Sequence, residues 1–354
     1  ANVNEIVARF SEFVMSHDYK NRPILTAYVN VDPTDPDNRR EQPAWQIELK
    51  NETKRIEQEL DAERMKRRDA QERRADAEAI VMGYLRERKP TGRAVALFTD
   101  LEDTMAIDLP IAMPTRLYYG FPQIKHLLFA LDQYKKYMVL LFSGAEVRLV
   151  EVFLTRTTDD VVVETEHEKQ RRLSRKSMED GQDRRGPEFE RRFINEMAAE
   201  INRFFLEDPD IERLVLGGNL KLANGVKNSL HPAARERVVA VEALDFKLPE
   251  KEIATVVKQI ADDYEQAHDL AEVEELVRLH NRRGAAVLER QGVETALSRG
   301  QVKTLVIPYP MDAAEFDLLI VDAIVNGAGL EFVYGAAADR LREFGSIGAK
   351  LYYS

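Results

Sequence analysis

Tyr137-Met138-Val139-Leu140-Leu141-Phe142-Ser143-Gly144-Ala145-Glu146-Val147-Arg148-Leu149-Val150-Glu151-Val152-Phe153-Leu154 is the stretch on which the fold turns. Two runs rich in β-branched and aromatic residues meet at Ser143-Gly144, which predicts an antiparallel hairpin. Val161-Val162-Val163 predicts a third strand. From Glu164 to Glu188 only Leu173 and Met178 are large and apolar, so this segment reads as a long polar loop. Beyond it, Phe189, Phe193, Met197, Ile201 and Phe205 recur every four residues, the mark of an amphipathic helix, with Pro187 suited to its first turn. Strand Leu214 to Leu216, helix Leu220 to Leu230 and strand Val238 to Val241 continue an alternating α/β pattern.

Working outward, a long helical region runs from Pro249 to about Arg290. Strand Lys303 to Ile307, helix Ala313 to Asn326, strand Leu330 to Tyr334, helix Ala336 to Phe344 and strand Ile347 to Tyr353 then form a small βαβαβ-like unit. On the other side, Ile6, Phe10, Phe13 and Val14 predict a helix, and Ile24 to Val31 a strand ended by Asp32-Pro33. Residues 43–88 read as long, highly charged helix with a thin apolar stripe of Ile47, Ile56, Leu60, Ile80, Val81 and Leu85. Its near-balanced charges indicate a solvated hairpin or projecting helix rather than a nucleic-acid-binding one. Short strands at 94–98, 104–107 and 116–119 and a helix at 124–131 lead to a boundary at Asp132 to Lys136. The expected division is an N-terminal α/β domain (1–134), a central domain (135–288) and a small C-terminal α/β domain (289–354).

Composition narrows the chemistry. The chain lacks cysteine, which removes disulfides, thiolate metal sites and a cysteine nucleophile and fits a reducing, cytoplasmic setting. No window approaches the roughly 20 apolar residues of a membrane span, and the first residues lack a signal peptide's pattern. A net charge of −11 argues against a DNA-coating protein but leaves room for a local basic patch. Gly217-Gly218-Asn219-Leu220-Lys221 follows a strand and precedes a helix, but lacks the phosphate-loop spacing and reads as a tight turn. Asp32, Asp35 and Asp37 are interrupted by Pro33 and Pro36, so turn chemistry is expected rather than calcium. The histidines form no zinc-protease motif, no nucleophile elbow is present, and His167 reads as solvent-facing. No metal and no cofactor are expected.

The polar segment is the candidate site. Lys169, Arg171, Arg172, Arg175, Lys176, Arg184, Arg185, Arg191 and Arg192 outnumber the acids around them. Such cations suit phosphate oxygens, and a long loop in a compact domain is usually functional or disordered. Its tip, Asp180-Gly181-Gln182-Asp183, sets a glycine beside an amide that both donates and accepts.

The order of these features resembles the class I release factors of archaea and eukaryotes and their Pelota-type relatives, most closely the bacterial branch of that superfamily. There a strand hairpin precedes a basic loop tipped Gly-Gly-Gln, followed by a long helix, as Tyr137 to Leu154, Gly181-Gln182 and Glu188 to Phe205 do here. Strand Leu214 to Gly218 with helix Leu220 to Leu230 is similar to the family's next elements. The closing Gly345-Ser346-Ile347-Gly348-Ala349-Lys350-Leu351-Tyr352-Tyr353 resembles its terminal signature, and Leu25 to Pro33 the start of the bacterial members' own N-terminal domain.

The resemblance implies a ribonuclease H-like mixed sheet in the central domain and a C-terminal domain of the release-factor type. It also implies a factor that enters the ribosomal A site, where Gly181 and Gln182 position water against the peptidyl-tRNA ester while the basic residues face rRNA and tRNA. Orientation and electrostatics would drive such a step, with no triad or metal. Ribosome, peptidyl-tRNA and a translational GTPase are the implied partners, with neither membrane nor DNA. Asp180 stands where the family has its first glycine and Asp183 follows the glutamine. The N-terminal segment does not match the stop-codon-reading domain of eukaryotic factors. Three readings stay open: a release or rescue factor, a non-catalytic hibernation or stress factor on the ribosome, and an interaction scaffold.

Overall fold

Strand β1 (Ile24–Asn30) is covered on both faces, and its alternation sorts the elements around the first sheet into layers. Before it comes helix α1 (Val3–Ser16); after it, α2 (Ala44–Ala62) and α3 (Arg67–Glu87). Strands β2 (Ala94–Thr99), β3 (Thr104–Leu109) and β4 (Arg116–Gly120) follow, then α4 (Lys125–Gln133). The four strands form an antiparallel sheet in the order β3-β2-β1-β4. Leu25, Ala27 and Val29 pack on the α2–α3 side. On the opposite face Phe10 of α1 meets Phe98 edge to face at 5.0 Å, and Phe98 meets Tyr28.

This computed structural model describes residues 3–62, 67–88, 91–144, 146–155, 161–164, 167–178, 186–208, 211–311 and 316–353. It forms two compact units, residues 133–268 and residues 1–132 with 269–354. Among the described residues no helix is long and apolar enough to cross a membrane.

The charged stretch is a hairpin of two helices, tied together by Arg74 and Glu57 at 2.8 Å and held to β4 by Arg73, which donates to the Tyr119 hydroxyl. Its buried row is Leu49, Thr53, Ile56 and Leu60, spaced four, three and four. Ile47 lies off that row and is half exposed, which corrects its expected part in the stripe. The aspartates after β1 do turn chemistry: Asp32 accepts from the Thr34 amide and hydroxyl and from Arg93, and Asp35 caps a short 3-10 turn.

The hairpin of the opening stretch is β5 (Tyr134–Ser143) and β6 (Glu146–Thr155), followed by β7 (Val161–Glu164). Helices α5 (His167–Met178) and α6 (Pro187–Glu207) precede β8 (Ile211–Gly218), α7 (Leu220–Ser229), the short α8 (Pro232–Arg235) and β9 (Val238–Glu242). The sheet order is β7-β6-β5-β8-β9, antiparallel across the first three strands and parallel across the last three. That is the ribonuclease H-like mixed sheet expected. One face packs under α5, α6 and α7, the other under the first half of α9 (Glu250–Asn281). Both faces are therefore dry along the sheet centre, and residues 137–142 of β5 read as an unbroken apolar run.

Three further features differ from the expectation. Residues 167–178 are helical although Leu173 is their only large apolar residue buried among the described side chains. The helix is held by polar side chains, a signal that hydrophobic periodicity does not carry. Helix α9 stops at Asn281 rather than near Arg290: Arg283 takes φ +56° and the Gly284 amide bonds back to the Leu279 carbonyl. A strand that the sequence pattern did not announce, β10 (Ala286–Leu288), follows, and then α10 (Arg290–Ser298).

The second half of α9 packs on the last sheet through Val273, Leu276 and Val277. The remaining elements are β11 (Val302–Pro308), α11 (Asp317–Val325), β12 (Gly329–Val333), α12 (Gly335–Arg342) and β13 (Gly348–Leu351). Strand order is β10-β13-β11-β12, with β11 and β12 parallel. Within their unit the first 132 residues and the final sheet's elements are joined by polar contacts, buried at Lys125 and Asp317. Lys125 Nζ lies 2.8 Å from Asp317 Oδ1, Gln123 donates to Asp317 Oδ2, and Tyr19 donates to Asp322. Phe129 meets Phe332 and Tyr309 edge to face.

Candidate functional site

The segment between α5 and α6 is framed by two helices on one face of the central sheet, and each is fixed differently. α6 is anchored by apolar contact: Phe193, Met197, Ile201 and Phe204 are buried. A row drawn every four residues drifts by about 40° per step on a 3.6-residue helix, so the row ends on Phe204. Phe205 is left half-buried under the Arg237 guanidinium.

α5 is anchored by its polar residues. Lys169 is almost fully buried, its ammonium 3.1 Å from Glu151 of β6 and 2.9 Å from Asp208 after α6. Lys136 of β5 lies 2.6 Å from the same Asp208 oxygen and 3.4 Å from the same Glu151 oxygen. Two cations and two anions thus alternate in one half-closed site. Burial alone would push the Asp208 carboxyl up, but the Lys136 and Lys169 ammoniums hold it below the ordinary carboxylate range. Next to Lys169, the Gln170 amide accepts from the Leu149 backbone and donates to the Val147 carbonyl. Among the described residues β7 pairs with β6 along 151–154, and Gln170 bonds the β6 backbone beyond that stretch, at Leu149 and Val147.

Of the cations assigned to the loop, Lys169 therefore faces inward. Arg172 reaches Glu207 of α6 at 2.6 Å. Arg171, Arg191 and Arg192 are exposed, and Arg171 and Arg191 form no ion pair among the described residues. Gly181, Gln182, Arg184, Arg185 and the flanking Asp180 and Asp183 lie outside the described residues, as do the side chains of Arg175, Lys176 and His167.

Sequence reasoning missed what lies beneath α6. The register pairs Phe142 with Gly218 across parallel β5 and β8, so both strands end at one edge. A cleft of about 370 Å³ opens there, lined by Gly144, Gly186, Phe189, Glu190, Asn219 and Lys221 among others. Crevices at the carboxyl ends of parallel strands are a frequent place for function, and the two glycine turns were the readable signal. Gly218 holds φ +79°, and a Cβ there would sit 2.3 Å from the Phe142 carbonyl oxygen. Asn219 accepts from the amides of Lys221 and Leu222, occupying the first donors of α7. That geometry agrees with a tight turn rather than a phosphate loop. Lys221 pairs with Glu190 of α6 at 2.9 Å. Glu190 is the only carboxylate among the described residues lining the cleft.

On the far face of the sheet, the Tyr137 hydroxyl and Arg213 both donate to Glu265 at 3.0 Å. Burial, and then the Glu265 charge, push the tyrosine's pKa up. Burial would lower that of Arg213, but Glu265 holds it above its usual value. These three groups brace the scaffold on the sheet face opposite helices α5 and α6.

Residues 122–265 match the family model for bacterial archaeo-eukaryotic release factor family 10. No curated protein matches the chain by sequence. Among solved structures, Pelota from Archaeoglobus fulgidus is similar over 74% of this chain and 79% of its own, at 16% identity and a TM-score of 0.31. Dom34 from S. cerevisiae, described as a translation termination-like factor in RNA quality control that interacts with Hbs1, aligns over 71% of this chain and 74% of its own, at 12% identity and a TM-score of 0.45. Archaeal Pelota in a model of its ribosome-bound complex with ABCE1 aligns over 99% and 94%, at 11% identity and a TM-score of 0.43.

Proposed function

We propose that this chain, whose residues 122–265 match the bacterial archaeo-eukaryotic release factors, is a ribosome-associated release or rescue factor working through the segment between α5 and α6. The observation that carries this reading is the family match on residues in which that segment, with Gly181-Gln182, joins two helices anchored in different ways on one sheet face. Exposed Arg171 and Arg191 border it and suit rRNA or tRNA phosphates. Gln182 orients water at the peptidyl-tRNA ester while the Gly181 backbone lets the tip approach it, a contribution of orientation rather than acid–base strength. A cytoplasmic setting and a translational GTPase partner belong to the same proposal.

A second reading, a non-catalytic A-site occupant, is favoured by one feature: Asp180 and Asp183 add negative charge to a tip that must enter phosphate-rich surroundings. Stalled ribosomes carrying labelled peptidyl-tRNA separate the two. Release by the wild type and its loss in Gln182→Ala, with both proteins still cosedimenting, is the expected result. Equal inactivity of both with intact cosedimentation leaves the binder, and absence of cosedimentation at moderate salt defeats both.

A further inference from the structure

The last sheet gathers three separate chain segments at one of its ends. β13 leaves the sheet where β10 and β11 enter it: Ala286 pairs with Lys350 and Val302 with Leu351. Beyond those pairs, the Leu351 amide donates to the Ala285 carbonyl and the Tyr352 amide to the Gln301 carbonyl. Tyr352 and Tyr353 therefore continue between the turn after α9, with Arg282 and Arg283, and the turn after α10, with Arg299 and then Lys303. Both tyrosines are more than half exposed, at 61% and 57%. The four cations are exposed and form no ion pair among the described residues, whereas carboxylates on α9 are engaged: Glu275 by Arg278 and Glu272 by Lys350. In a chain of net charge −11 this end of the sheet is a local excess of positive charge.

We propose that this end of the C-terminal sheet is an RNA-binding surface, separate from the segment between α5 and α6, that takes single-stranded or looped RNA. Arginine and lysine neutralise phosphate oxygens, and exposed tyrosine rings stack on bases with little regard to sequence. The surface lacks the aliphatic centre of a protein interface: along these three segments the tyrosines are the only large apolar side chains exposed among the described residues. Arg283 adds a second indication. It holds φ +56°, a left-handed conformation that glycine adopts freely and that an arginine takes only at a backbone penalty.

The test uses the full chain and a fluorescein-labelled single-stranded RNA of about 20 nucleotides, titrated at several salt concentrations. Arg282→Glu with Arg283→Glu and Arg299→Glu should weaken binding at least tenfold and flatten the plot of log K against log salt by about 0.7 for each phosphate no longer neutralised. The three lysine replacements should keep the slope, which separates charge loss from misfolding. Tyr352→Ala with Tyr353→Ala should weaken binding roughly tenfold and leave the slope unchanged. Arg171→Glu with Arg191→Glu serves as the comparator for the central domain. The proposal is overturned if only that comparator loses affinity. It is equally overturned if an acidic peptide of matched charge displaces the RNA and the tyrosine variants bind normally, the signature of a protein-docking surface.

Discussion

Lys169 Nζ lies 3.1 Å from Glu151 Oε1, a strand–helix ion pair in which both side chains are almost fully buried. A buried charge left without its partner is expensive, whereas replacing both partners by apolar groups can be neutral. Lys169→Met should therefore destabilise the protein by about 3–5 kcal/mol. Adding Glu151→Leu should recover most of that loss, because Lys136 and Asp208 still pair. Urea unfolding followed by circular dichroism measures both, and equal losses in the single and double variants would contradict the assignment.

Acid should weaken the same anchor. The Asp208 carboxyl is held below its ordinary value of 3.8, so its contribution is complete above that pH and is lost as pH falls through the lower, folded value. Asp32, kept low against its own burial by the Thr34 and Arg93 bonds, acts in the same direction in the other unit. Thermal melts from pH 7 downward should stay level until about pH 4 and then drop. The drop should be shallower in Asp208→Asn.

Two turn glycines should separate conformational strain from crowding. Gly144 has φ +59° with open space around it, so Gly144→Ala should cost only about 1–2 kcal/mol. Gly218 combines φ +79° with the Phe142 carbonyl in its path, and Gly218→Ala should cost roughly 3 kcal/mol or more. Equal midpoints in chemical denaturation would refute the register that pairs Phe142 with Gly218.

The exposed cations flanking the proposed loop should matter for affinity and not for folding. Arg171→Glu with Arg191→Glu should leave the melting temperature within a degree or so, since surface changes usually stay within about 0.5 kcal/mol. Cosedimentation with ribosomes should weaken and become less salt-dependent. Lys169→Met should alter stability first, and any binding defect should follow from it.

Much of the fold was legible because its apolar patterns are local. The hairpin of β5 and β6, the α6 row and the alternating final elements all follow from period and turn residues. α5 was not legible, because Lys169 and Gln170 hold it through contacts with Glu151, Asp208, Val147 and Leu149, which are distant in sequence or on another strand. The same cause explains the site. Lys169 resembled its basic neighbours in sequence, and only the tertiary pairing sets it apart from exposed Arg171. The end of α9 was missed because the left-handed residue is Arg283, one position before the glycine that would have advertised it.

The buried contacts of Gln123 and Lys125 with Asp317 carry a consequence for synthesis. Gln123 and Asp317 are 194 positions apart, and the complete central unit is encoded between them. At ribosomal rates of about 5–20 residues per second, the N-terminal half of that bond waits roughly 10–40 s for its partner. The inserted unit is thus expected to fold first, as a nascent chain, while its host remains half-built with Lys125 and the apolar surface around Phe129 uncovered. Force profiles of nascent chains arrested at increasing lengths should show an early folding event for residues 133–268 and a late one after α11 emerges. Closure of the host before Asp317 emerges would contradict that order.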